Sequence, residues 1–159
     1  MLHINVICVG KIKESFFRDA ISEYSKRLSR FCNLTITELQ DEKIPEKANE
    51  KIEQEIKEKE GQNIISHIKK DSYVIALDLT GKELDSIALS QKIESLSISN
   101  SSITFIIGGS LGLSRQVLNS CNEKLCFSKM TFPHQLIRIF LLEQIYRSFK
   151  ISNNETYHK

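Results

Sequence analysis

Hydrophobic and polar positions along the chain follow two periods. Short apolar and β-branched runs, typical of buried strands, occur at 2–9, 34–39, 73–79, 103–107 and 125–127. Between them, apolar residues recur every three or four positions, which predicts helices at 13–30, 49–69, around 87–96, after Ser114 and at 134–151. Alternating strands and helices predict an α/β fold with a mainly parallel sheet and helices on both faces.

The segment 41–60 departs from this regular alternation. Eight acids and five lysines fill its twenty positions, and Pro45 lies near its start. We expect a loop first and then a solvent-washed helix from about residue 49, because Ile52, Ile56 and Ile64 keep a helical spacing. Gly61 inside this helix predicts a cost of roughly 1 kcal/mol relative to alanine. The segment suggests no function.

The last helix is unusually apolar. Ten of the 18 residues from 134 to 151 are large and apolar, and on a helical wheel they cover more than one stripe. A helix that is apolar nearly all round is buried on two sides. Two explanations remain open: a homodimer in which a second copy covers the outer side, or a central helix within one protomer.

The composition is that of one ordinary soluble domain covering residues 1–159. With 40% hydrophobic and 26% charged residues, a chain of this size forms a core without disulfides or metal. The four cysteines form no CxxC pair, and the first residues lack the basic region of a signal peptide. No apolar run approaches the roughly 18 residues of a membrane span. We expect a cytoplasmic protein with reduced, mostly buried thiols.

Charge is distributed unevenly along the chain. Residues 61–159 carry 11 Lys and Arg against 8 Asp and Glu, and the last 36 residues carry 6 against 2. A basic C-terminal surface suits a polyanion such as RNA. It is equally compatible with an ordinary solvated face.

Two segments are candidates for chemistry. The glycine-rich loop 108–112 follows a buried strand and precedes a helix, where α/β sheets bind ligands, although it matches neither G-x-G-x-x-G nor a P-loop. The C-terminal tail combines Tyr157, His158 and Lys159, either as part of a site or as a frayed end. No H-E-x-x-H motif and no His or Cys grouping at metal-ligand spacing occurs. On these features alone, an enzyme and a non-enzymatic nucleotide- or RNA-binding domain both remain possible.

Five motifs decide between these classes. In chain order they are LDLTGK (77–82), IGGSLGL (107–113), FSKMTFPHQLIR (127–138), LLEQIYRSFKI (141–151) and the terminal YHK. Together they closely resemble the ribosomal RNA large subunit methyltransferase H family over essentially the whole chain. The resemblance implies a single SPOUT-class domain with a C-terminal trefoil knot, working as a homodimer. It further implies methylation of N3 of a pseudouridine in large-subunit (23S-type) ribosomal RNA, with S-adenosylmethionine as methyl donor and no metal.

The resemblance also assigns residues. It places the methyl donor against three loops, with Gly108 and Gly109 allowing close backbone approach. A side chain introduced at either glycine would occupy space that the ligand needs and would strain the backbone if φ is positive there. The implied donor-site residues are Leu77, Gly108, Gly109, Phe127, Ser128, Lys129, Met130, Thr131 and Phe132. His158 would accept or relay the N3 proton or only position the base, and Tyr157 would hold the base. Arg138 and Lys159 would meet RNA phosphates or the developing anion.

Overall fold

Five strands and five helices alternate along the chain. A computed structural model describes residues 1–159 and gives the elements as follows. They are β1 (His3–Val9), α1 (Ser15–Leu28), β2 (Asn33–Leu39), α2 (Glu50–His67), β3 (Tyr73–Glu83), α3 (Ser86–Ser99), β4 (Ser102–Ile107), α4 (Arg115–Ser120), β5 (Glu123–Cys126) and α5 (His134–Ser152). Every predicted helix and strand is present, with ends displaced by a few residues.

The strands form one sheet in the order β2-β1-β4-β3-β5, and every pairing is parallel. The predicted mainly parallel sheet is therefore confirmed. β1 lies between β2 and β4. As in any strand, its successive side chains point to opposite faces of the sheet. Parallel sheets need helical crossovers, and these helices cover both faces, as the sequence predicts.

Each face of the sheet has its own core. Ile4, Val6 and Cys8 of β1 belong to a cluster with buried side chains of α1, α3 and α5. The neighbouring positions Ile7 and Val9 belong to a second cluster with buried side chains of α2 and α4. The period-two alternation of β1 therefore assigns α5 and α2 to opposite faces of the sheet.

β3 continues past its predicted end. The sequence predicts that Thr80-Gly81 ends the strand, but the chain shifts register between Leu77 and Lys82 and runs on along β5 as far as Glu83. Gly81 permits this because a Cβ there would lie 2.7 Å from the backbone nitrogen of Leu125. Real side chains do not tolerate that distance to a backbone atom, so the crossing requires glycine.

The acidic segment folds as predicted, with a loop followed by α2. Asn49 caps α2 because its side chain accepts a hydrogen bond from the Ile52 backbone N–H (2.9 Å). Gly61 is buried, and a Cβ there would lie 2.5 Å from Ser114 Oγ at the start of α4. Glycine weakens the helix but allows α2 to pack closely on α4.

α5 is a central helix of the protomer that also leaves apolar surface outside. Leu141, Leu142 and Ile145 are fully buried against the sheet and its neighbours α1 and α3. Phe140 remains 38% exposed. The intraprotomer explanation therefore accounts for one side of the helix, and the homodimer stays a prediction for the other.

All four cysteines are free, and three of them are buried. Burial raises the pKa of the Cys8 and Cys32 thiols to about 12, so neither is a reactive thiolate at neutral pH. None of the helices combines the length and apolar content needed to cross a membrane.

Candidate functional site

A cleft of about 860 Å³ lies at the carboxyl ends of three neighbouring strands. Its walls come from the bend in β3 around residues 77–80, the loop 107–113 after β4, and the loop 125–133 after β5. Ligands of parallel α/β sheets bind at this edge, because loops from adjacent strands converge there. The strand order thus brings together three loops that are far apart in the sequence.

Eight of the nine residues assigned to the donor site line this cleft. They are Leu77, Gly108, Gly109, Phe127, Ser128, Met130, Thr131 and Phe132. The ninth, Lys129, lies in the same loop but does not line the cleft. Half of the lining residues are hydrophobic, so the cleft suits an organic ligand held by a few polar groups.

The glycine-rich loop is a tight turn whose glycines serve the protein's own packing. The Gly112 N–H donates to the Gly109 carbonyl (3.0 Å), and Gly112 has φ +82°. A Cβ on Gly108 would lie 3.0 Å from the Gly112 carbonyl carbon, and one on Gly109 would lie 3.2 Å from Val9 Cγ1. Positive φ occurs at Gly112 and not at Gly108 or Gly109, so a side chain at either of these two glycines would meet its neighbours without the strain of a left-handed backbone.

The loop after β5 combines internal bonds with exposed apolar side chains. Ser128 Oγ accepts a hydrogen bond from the Met130 backbone N–H (3.0 Å), which closes a small turn. The Met130 side chain is 75% exposed above the cleft. Phe132 packs edge-on against Phe140 of α5, with ring centroids 5.6 Å apart. One apolar surface therefore runs from the cleft onto the outer side of α5.

Besides the Cys126 thiol, the ionisable side chains that line the cleft are Lys57, Asp78 and His134. The Asp78 carboxylate accepts hydrogen bonds from the Thr80 backbone N–H (3.0 Å) and the Thr80 hydroxyl, so it holds the bend of β3. Burial and the nearby Arg138 charge lower the pKa of His134 below its usual value. This shift favours the neutral form of the imidazole.

Arg138 lies inside the protein instead of on an RNA-facing surface. Its side chain is 2% exposed, and Nη1 contacts Glu38 Oε2 at 2.9 Å. Nη2 donates to the carbonyls of Val9 (2.9 Å) and Gly10 (2.8 Å) at the end of β1. This corrects the predicted phosphate contact, because the guanidinium ties α5 to the sheet and offers no donor to solvent.

The C-terminal tail is folded onto the last turns of α5. The Tyr157 hydroxyl donates to Glu143 Oε1 (3.0 Å), and the Arg147 guanidinium lies 4.7 Å from the Tyr157 ring centroid. His158 Nδ1 is 3.1 Å from Arg147 Nη1. Burial and the hydrogen bond to Glu143 raise the pKa of Tyr157 to about 12. Lys159 is exposed.

Arg147 and Glu143 are members of this cluster that the sequence reasoning missed. Arg147 binds Glu143 through Nη2 at 2.8 Å and Nε at 3.3 Å, which fixes the guanidinium under both tail side chains. The signal was available: the two residues are four apart on a predicted helix, the spacing of a helical ion pair. Arg138, the other arginine of the same helix, was predicted in its place.

The cleft and the tail cluster lie at opposite ends of α5. His134 borders the cleft, and Arg147 follows 13 residues later, which at helical rise is about 20 Å. None of Glu143, Arg147, Tyr157 or His158 lines the cleft. Within one protomer the structure therefore does not bring the predicted donor site and the predicted catalytic tail together.

A family model described as Predicted SPOUT methyltransferase matches residues 2–158. The chain belongs to the SPOUT methyltransferase family, and the protein is accordingly a methyltransferase. It is 58% identical to Ribosomal RNA large subunit methyltransferase H 1 of Clostridium perfringens (strain SM101 / Type A) over 99% of this chain and 100% of that relative. It is 59% identical to Ribosomal RNA large subunit methyltransferase H of Clostridium beijerinckii, with the same coverage. The resemblance seen in the motifs is confirmed.

A solved structure supports the fold alone. A probable methylase family protein from Haemophilus influenzae Rd KW20 superposes with a TM-score of 0.54 over 98% of this chain and 70% of that chain. The two sequences are 14% identical. At that identity the likeness concerns the arrangement of strands and helices.

Proposed function

We propose that the protein transfers a methyl group from S-adenosylmethionine to N3 of a pseudouridine in large-subunit (23S-type) ribosomal RNA, in the cytoplasm. Family membership supplies the reaction class, and the names of the relatives supply the RNA. The observation that carries the proposal is the single cleft lined by eight of the nine donor-site residues that the resemblance assigned.

The cleft fits the proposed donor in size and in chemistry. Phe127, Met130 and Phe132 offer apolar surface, and the main chain of the same loop offers donors and acceptors for an adenine ring. When bound, the donor supplies an activated methyl group on a sulfonium. The protein's own task is to hold that group against the acceptor nitrogen and to exclude water.

A trefoil knot is part of the proposal. Its support is the crossing at Gly81, where the chain leaving β3 rests on the backbone of β5. The three donor loops belong to β4, β3 and β5, which are consecutive in the sheet. A knot there would fix these loops relative to one another before the donor binds.

A homodimer would complete the site. Leu136 and Phe140 lie one helical turn apart on the outer side of α5, and Phe132 extends their surface to the cleft. A two-fold contact uses the same patch on both copies, so two α5 helices packed antiparallel bring the tail end of one to the cleft end of the other. The gap of about 20 Å between the two half-sites is then bridged by the partner.

The tail would favour the anionic form of the acceptor base. Arginine only donates hydrogen bonds, so His158 Nδ1, 3.1 Å from Arg147 Nη1, accepts and the proton of the neutral ring lies on Nε2. Nε2–H then donates to a carbonyl oxygen beside N3, where negative charge develops as N3 loses its proton to solvent. The N3 lone pair forms the new bond to the methyl carbon, and the carbon–sulfur bond breaks to leave a neutral thioether.

The direct test uses ribosomes from cells that lack the activity. Incubation with the protein and labelled S-adenosylmethionine, followed by mass spectrometry of the ribosomal RNA, should locate one added methyl group on N3 of a pseudouridine in the large-subunit RNA. Transfer to another base or to another class of molecule would contradict the proposal. Parallel reactions with free RNA, large subunits and assembled ribosomes would identify the substrate form.

A further inference from the structure

Lys57 is the only lysine or arginine that lines the cleft. It lies on α2, is half-buried, and forms no ion pair in the structure. Two acids, Glu53 and Glu60, lie at helical spacing from Lys57, and neither forms an ion pair with it. Glu53 makes no salt bridge, and Glu60 accepts a hydrogen bond from the Glu42 backbone N–H (3.0 Å) instead. By contrast, Lys59 two residues later pairs with Glu42 (3.4 Å).

A free cation in this cleft calls for an anionic ligand group. The only carboxylate lining the cleft, Asp78, is already bonded to Thr80. A sulfonium donor is itself cationic, so a lysine facing its sulfur would weaken binding. The lysine favours binding only where it meets the donor's one anionic group, the carboxylate of the methionine part.

The position of Lys57 in the cleft indicates whether its anionic partner is the donor carboxylate or an RNA phosphate. Lys57 approaches from α2, whose buried side chains pack on the sheet face opposite α5. The tail cluster and the exposed apolar surface, where acceptor RNA and the partner copy would arrive, belong to α5. The group nearest Lys57 is therefore part of the donor.

We infer that Lys57 binds the α-carboxylate of the methyl donor and selects donors that carry an intact amino-acid end. This inference rests on the proposed donor, S-adenosylmethionine, and adds a recognition residue that the sequence motifs do not contain. It predicts that Lys57 contributes nothing to ligands that lack the carboxylate.

Calorimetry with two non-reactive ligands tests this directly. S-adenosylhomocysteine has the carboxylate, and its decarboxylated analogue, S-adenosyl-3-thiopropylamine, lacks only that group. Lys57→Met should weaken binding of the first by about 10-fold, the value of a charge-assisted hydrogen bond, and leave binding of the second unchanged. Lys57→Arg should retain most of the affinity, and the control Lys59→Met should alter neither ligand.

Different results would overturn the role of Lys57 and the proposed donor. Equal affinity of wild type and Lys57→Met for S-adenosylhomocysteine would overturn the inference, as would equal weakening of both ligands. Unchanged ligand binding combined with weaker binding of large ribosomal subunits would overturn it in favour of a phosphate contact. If the wild-type protein binds neither nucleoside, the proposed donor itself is wrong, a result distinguishable from the others before any variant is made.

Discussion

Arg147 Nη1 and His158 Nδ1 lie 3.1 Å apart, so the terminal imidazole is held by a group that can only donate a hydrogen bond. The lone pair needed for a general base at Nδ1 is directed at the guanidinium. The free ring position, Nε2, carries a proton and can donate. In the proposed reaction, His158 would therefore donate a hydrogen bond to the developing anion instead of accepting the N3 proton.

Replacing His158 distinguishes a donor from a base. Glutamine places an amide N–H near the position of Nε2–H, so His158→Gln should retain much of the methyl-transfer rate, whereas His158→Ala should lose about 10²-fold. Rates are measured in single turnovers with saturating donor. In both variants the affinity for S-adenosylhomocysteine should match wild type. A glutamine variant as slow as the alanine variant would instead assign His158 as the base.

Assembly is tested through the exposed side of α5. Phe140→Glu places a charge on the outer apolar surface and should shift the protein from a dimer to its 18.3 kDa monomer in light scattering. Leu141→Glu is unsuitable because Leu141 is fully buried in the protomer's own core. The matched control is Ile98→Glu on α3, where the side chain is 85% exposed; it should remain dimeric. A monomeric wild type would contradict the composite site.

Mixed dimers show whether the tail acts on the partner's cleft. One chain lacks residues 157–159, and the other carries Leu79→Arg, a cation placed at an exposed position of the cleft. Each alone should be inactive. Random mixing should restore about one quarter of wild-type activity, because half of the dimers are mixed and each of these has one intact site. A mixture that stays inactive would mean that each tail serves its own chain.

Local sequence patterns predicted the helices and strands well, because each of these elements depends on residues close to one another in the sequence. The alternation in β1 and the three-to-four spacing in α1 are decided by which side chains face the core. The close passage of β3 over Leu125 depends on a contact between residues 44 positions apart in the sequence, and no local pattern encodes it. From the sequence, Thr80-Gly81 was predicted to end the strand, because glycine commonly interrupts regular structure.

The same distinction explains the candidate site. Donor-loop residues were found through contiguous motifs, and the strand order then gathered them into one cleft. Arg138 was misjudged because its partners, Glu38 and the carbonyl of Gly10, are about 100 residues or more away and come together only in the folded sheet. The local sequence around a basic residue does not show whether its side chain faces solvent or the core.

The raised pKa of Tyr157 predicts a loss of folding stability at alkaline pH. Burial and the bond to Glu143 raise it from 10.0 to about 12, so the phenol stays protonated in the folded state where the unfolded chain ionises. Its contribution to stability is complete below pH 10 and falls between pH 10 and 12. Ultraviolet difference titration of wild type against Tyr157→Phe should show this late phenol, and Glu143→Gln should lower its pKa. A Tyr157 phenol that titrates near pH 10 would contradict the part-buried hydrogen bond to Glu143.

Arg138 provides the last prediction, because a structural role and an RNA-contact role give different results. Arg138→Met removes three bonds, to Glu38, Val9 and Gly10. The two carbonyls lose the donor that Arg138 supplied, whereas Glu38 keeps its hydrogen bond from the Ile12 backbone N–H (2.9 Å). Urea denaturation should show a loss of about 3 kcal/mol in the free energy of unfolding. Glu38→Gln should cost less, because Glu38 is 37% exposed and Arg138 keeps both carbonyl partners.

Salt dependence of binding to large ribosomal subunits then separates the two roles. Each lost phosphate contact reduces the slope of log K against log salt by about 0.7 to 0.9. Lys159→Met removes an exposed cation at the tail and should reduce the slope by about that amount. Arg138→Met should leave the slope at its wild-type value, because a guanidinium bonded to Glu38 and the end of β1 neutralises no phosphate. A reduced slope for Arg138→Met at a temperature where the variant is folded would restore the arginine to the RNA surface.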